Sequence, residues 1–117
     1  MFNKLIKRRL KTKMQKEGFD FYEANENVIN NFRDNVKGNS KLSDLEILKK
    51  INRDFFCSRC TTENFTQTTR YYGFLQITYD RLADRFVYIY NQKHKYTICG
   101  IIDYELKEKL NKILNIK

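Results

Sequence analysis

The sequence predicts an α+β fold: a small antiparallel sheet with helices packed on one face, an N-terminal basic helix and a C-terminal helix. Three observations lead there. Apolar residues recur at helical spacing near both ends of the chain and in its first half. Runs dense in Tyr, Phe, Ile and Thr, the strand-favouring types, fill the region between residue 60 and residue 101. At 117 residues, with no Pro and four Gly, the chain is long enough for one core and carries no linker or low-complexity stretch.

Residues 2–16 read as a helix. Phe2, Leu5, Ile6, Leu10 and Met14 span one broad arc, and Lys4, Lys7, Arg8 and Lys11 gather on the opposite side. Gly18 ends this segment. Asp20 and Glu23 are candidate caps for a second helix with Phe21, Val28, Ile29, Phe32 and Val36 on one face, closed by Gly38. Ser43 with Glu46 forms a stronger capping box, with Leu42 as its staple and Leu45, Leu48, Ile51 and Phe55 as the buried stripe of the helix over 44–55. The polar, Thr-rich stretch 57–69 reads as a loop or short edge strand. Residues 71–79, 86–90 and 96–101 read as strands. Asp103 caps a last helix that buries Leu106, Leu110, Ile113 and Leu114. This organisation divides the chain into a basic amphipathic arm, 1–18, and a single α+β domain, 19–117.

Charge is unevenly placed. Lys4, Lys7, Arg8, Arg9, Lys11, Lys13 and Lys16 put +7 into the first sixteen residues, before any acidic residue. The remaining 101 residues carry 16 basic and 14 acidic groups. A nearly balanced body with a cationic arm seeks a polyanion: nucleic acid, a membrane surface or an acidic protein face. Like charges at i,i+4 and cations at a helix N-terminus weaken this helix on its own, so it should order best against a partner, either another molecule or its own body. No run of eighteen apolar residues is present to span a membrane, and no apolar segment follows the N-terminus to make a secretory signal. Three cysteines, an odd number, point to a reducing compartment, cytoplasmic or nuclear, rather than a disulfide scaffold.

The segment Arg70-Tyr71-Tyr72-Gly73-Phe74-Leu75-Gln76-Ile77 resembles the eight-residue signature of the RNA-recognition motif, which runs basic, Gly, aromatic, small, aromatic, aliphatic, any, aromatic. Arg70, Tyr72, Gly73, Phe74 and Leu75 match; Tyr71 stands where the family has Gly and Ile77 where it has an aromatic. The resemblance extends over 27–102 as a divergent domain. It implies that Tyr72 and Phe74 share one strand face and stack two bases while Arg70 reaches a phosphate. It also implies a helix over 83–91, although Val87, Tyr88, Ile89 and Tyr90 are strand formers.

Catalytic signals are thin. A single histidine, with no recognisable nucleophile and no glycine-rich phosphate loop, offers no triad. A small RNA-cleaving toxin working through Arg, Lys and Tyr is the one enzymatic alternative. No cofactor is expected. A zinc site would draw on Cys57, Cys60, Cys99 and His94, but if 95–99 is extended His94 and Cys99 stand about 16 Å apart, too far for one ion. The expectation is a non-catalytic RNA-binding or ribonucleoprotein-component protein. Lys4, Lys7, Arg8, Arg9 and Lys11 would grip phosphate, and Arg70, Tyr72 and Phe74 would receive bases. Its partners would be nucleic acid, RNA favoured, and a larger protein or ribonucleoprotein assembly. The alternative is a small accessory or inhibitor protein engaging an acidic partner surface.

Overall fold

The computed structural model describes residues 2–91 and 100–116, Phe2 through its backbone alone. The elements run α1 (Phe2–Lys16), β1 (Glu23–Ala24), α2 (Glu26–Asn35), α3 (Asp44–Phe56), β2 (Cys60–Glu63), β3 (Gln67–Tyr72), β4 (Leu75–Asp80), β5 (Arg85–Asn91) and α4 (Tyr104–Leu114). The fold is α+β, as the periodicities predict. The five strands lie in the order β1-β5-β4-β3-β2. β2 to β5 form an antiparallel meander, and the two-residue β1 adds to β5 in parallel, so the sheet is mixed.

Local chemistry explains most boundaries. Ser43 caps α3 by accepting from the Glu46 N–H at 3.3 Å, while the Glu46 carboxylate turns to Lys49. Asp103 caps α4 by accepting from the Leu106 N–H at 3.1 Å. α2 departs from expectation. Its N-cap is Asn25 rather than Asp20 or Glu23, because residues 23–24 are held extended as β1 against β5. Asp20 instead accepts from the Phe21 N–H and from Lys11.

One strand expectation and one helix implied by the resemblance need correction, while the strand read over 86–90 is present as β5. Residues 71–79 are not one strand: Tyr72 pairs with Leu75, and Gly73-Phe74 is the two-residue turn between β3 and β4. Gly73 has φ +58°, a conformation glycine adopts without strain. Residues 85–91 form β5, where the resemblance to the RNA-recognition motif implies a helix. The branched and aromatic run 86–90 prevails over the spacing of Leu82, Phe86 and Tyr90, and 67–91 becomes a continuous meander. The strand expected over 96–101 lies mostly outside the described residues.

One side of the sheet carries the core. Leu75, Ile77, Phe86 and Ile89 pack with Leu10, Met14, Phe32, Ile47, Leu48, Ile51, Phe55, Leu110 and Leu114 from the helices. A bulge at Thr78/Tyr79 lets both Phe86 and Ile89, three apart on β5, face this layer. Asn52, fully buried, clamps the chain after α1. It accepts from the Tyr22 N–H at 2.8 Å and donates to Tyr22 O and Leu48 O, each at 3.0 Å. All its contacts are satisfied, as burial requires.

Candidate functional site

α1 is the element that sets this molecule's charge, and its orientation decides which cations reach solvent. Leu10 and Met14 are buried, and Ile6 packs beside them. Leu5, expected on the same arc, is 51% exposed. The helix is thus rolled so that the stripe Ile6-Leu10-Met14 faces the body and the opposite line faces out. It is an integral wall of the fold, seated against α4.

This roll sorts the predicted phosphate contacts into two groups. Lys7 pairs with Glu23 at 3.1 Å, and Lys11 pairs with Asp20 at 2.6 Å while also donating to Phe21 O. Both ammonium groups tie the helix to residues 20–23. Lys4, Arg8 and Arg9 are exposed. Lys13 and Lys16, which the sequence shows as charge but does not assign to the site, join them on the outward side. Among the described residues none of these five has an ion pair. The signal that finds them is helical spacing: Arg9, Lys13 and Lys16 follow at i, i+4 and i+7. Lys4, Lys7, Arg8 and Lys11 also form one wall of a cleft of about 290 Å³, closed by Phe21, Tyr22, Glu23 and Asp84.

The predicted stacking surface is not assembled. Registered strand partners share a face, so Arg70, opposite Ile77, and Tyr72, opposite Leu75, point into the helical layer. The Arg70 guanidinium lies 4.7 Å from the Phe55 ring centroid and 5.8 Å from that of Phe56. Burial lowers its affinity for the proton, and its Nε is buried without a hydrogen-bond partner. Tyr72 packs against the core with Lys107 Nζ 5.3 Å from its ring centroid, and burial pushes its phenol up. Phe74 sits in the β3–β4 turn, so it does not share a strand face with Tyr72. The reason is the turn itself, which the octapeptide match reads as continuous strand.

On the side of the sheet away from the helices, Thr69 and Thr78 hydroxyls meet at 2.8 Å and the Tyr88 and Tyr90 rings stack with centroids 6.4 Å apart. At the end of α3, Cys57 is fully buried, and burial together with Asp54 pushes its thiol up to about 12. Cys60 begins β2. His94 and Cys99 lie outside the described residues. Among the described residues no three His, Cys, Asp or Glu side chains gather as a metal would need, and no helix is long and apolar enough to cross a membrane.

No protein-family model, curated protein or solved structure matches this chain.

Proposed function

We propose that this protein binds nucleic acid, RNA favoured, without catalysis, and that the outward face of α1 is its phosphate-binding surface. The observation that carries the reading is the set Lys4, Arg8, Arg9, Lys13 and Lys16: five exposed cations on a docked helix, none with an ion pair among the described residues. Lys7 and Lys11 are ion-paired to Glu23 and Asp20, whereas among the described residues these five are not. Because α1 is already seated on the body, a ligand need not meet the cost of ordering it. Two rows of cations stepping by about one helix turn, Lys4–Arg8 and Arg9–Lys13–Lys16, suit a polyanion whose charges also repeat, and they bind by releasing condensed counterions. Phosphate contacts of this kind hold the protein in place without reading sequence.

The test is equilibrium binding of labelled oligouridine across a salt series. Neutralising five phosphates gives a slope of log K against log salt near −3.5, at about −0.7 per contact for a single strand. Binding that ignores salt would refute the reading. A second reading, an accessory protein on an acidic partner surface within a larger assembly, draws on Leu5, exposed amid Arg8, Arg9 and Lys13. An interface with that apolar centre would keep more of its affinity at high salt.

A further inference from the structure

Strand-connecting turns normally carry polar residues at their tips. Two turns at one end of this sheet carry large apolar ones instead. Phe65, between β2 and β3, is 98% exposed, and Leu82, between β4 and β5, is 84% exposed. Neither side chain contributes burial to the fold.

Both tips are nevertheless held firmly. Asn64 Oδ1 accepts from the N–H groups of Thr66 and Gln67 at 3.0 and 2.8 Å. Asp80 Oδ1 accepts from those of Leu82 and Ala83 at 2.9 and 3.0 Å. Arg81 joins the two turns. Its N–H donates to Thr66 O at 2.8 Å, and its guanidinium donates to Thr68 Oγ1 at 2.7 Å and to Asn64 O. The order β5-β4-β3-β2 sets the two hairpins side by side, so their tips stand about two strand spacings, roughly 10 Å, apart. The same end reaches α1: Asp84, two residues past Leu82, lines the cleft with Lys4, Lys7, Arg8 and Lys11.

The charges around the tips select the occupant. Glu63, Asp80 and Asp84 flank them and outnumber Arg81, whose guanidinium keeps its charge while it donates to Thr68 Oγ1 and Asn64 O. This ground repels phosphate but accepts the uncharged face of a base. A flat anionic bilayer touching both tips would press those three carboxylates against its headgroups. A duplex keeps its base faces inside the stack, whereas single-stranded RNA offers them. We propose that Phe65 and Leu82 contact the bases of a single-stranded RNA whose phosphates lie on α1, with Phe65 as the stacking ring. This assignment rests on the reading of α1 given above.

The chain has no tryptophan, so Phe65→Trp installs a unique fluorophore at the tip. Saturating single-stranded oligouridine should quench it. Phe65→Ala and Leu82→Ser, both at exposed positions, should keep the wild-type circular dichroism. Phe65→Ala should weaken oligouridine binding about tenfold or more with an unchanged salt slope. If Phe65→Ala binds oligouridine as tightly as wild type while glutamine at Arg8, Arg9, Lys13 and Lys16 weakens it, the tips are not the base contact and the α1 reading stands. If wild type shows no salt-dependent binding to oligouridine, both fall. A blue shift of the Phe65→Trp emission on phosphatidylserine vesicles, with no response to oligouridine, would assign the tips to lipid and overturn the proposal.

Discussion

Removing the Met14 side chain tests whether α1 is a wall of the fold or an appendage. Met14 is fully buried and Leu10 nearly so, one helical turn apart on the face that meets the core. Truncating a buried Met or Leu to Ala costs about 2–5 kcal/mol, the lost transfer energy plus the cavity left behind. Total stability for a domain of this size is about 5–15 kcal/mol, so either change should remove a large share. With a urea slope of about 1–3 kcal/mol per molar, the midpoint should fall by about 1–2 M. Leu5, half exposed on the same helix, is the control: Leu5→Ala should stay within about 0.5 kcal/mol. The two truncations should not add, because the side chains are neighbours. The assay is urea unfolding followed by circular dichroism. If Met14→Ala costs no more than Leu5→Ala, α1 is not docked as described, and the division of its cations into paired and free sets has no basis.

Three further outcomes are expected. Asp54 is fully buried beside Arg53, and burial raises its carboxyl to about 6 against 3.8 in the unfolded chain. The folded state therefore holds the proton more tightly: the contribution is present below pH 4 and lost as pH rises through 6, about 3 kcal/mol in all. Asp54→Asn should flatten stability between pH 4 and 6, and an unchanged profile would place the titration elsewhere. Ser43→Ala should cost about 1 kcal/mol in thermal unfolding by removing the cap on the Glu46 N–H. Gly100→Ala should cost about 3 kcal/mol or more, since a Cβ there would lie 1.8 Å from the Tyr71 carbonyl oxygen, and a variant as stable as wild type would contradict that close approach.

Helices were the more legible part of this chain because their signals are local. The Ser43 and Asp103 caps and the 3.6-residue stripes of α3 and α4 can be read from neighbours in sequence. The sheet depended on pairing, which is not local. Gly73 marks a hairpin only once Tyr72 is known to face Leu75, and without that knowledge the stretch alternates like a single strand. The same turn decided the fate of the octapeptide resemblance: Arg70 and Tyr72 were drawn to the helical layer because Ile77 and Leu75, their partners, are core residues. At α1 the sequence disclosed an excess of charge but not the roll of the helix. That roll follows from Asp20 and Glu23, which capture Lys11 and Lys7, and from Leu10 and Met14, which outweigh Leu5. The hairpin tips carried no periodic signal; Phe65 reads as one more aromatic until its exposure is known.

On the proposed reading, the outward cations of α1, and not the ion-paired Lys7 and Lys11, neutralise phosphate. The most direct measurement compares salt slopes for oligouridine binding by two variants. Glutamine at Arg8, Arg9, Lys13 and Lys16 should reduce the slope by about 3, at about 0.7 per lost contact, and weaken all sequences alike. Glutamine at Lys7 and Lys11 should leave the slope unchanged, whatever it costs in stability. Equal slopes for wild type and the outward variant, or a slope that falls only with Lys7 and Lys11, would contradict the account.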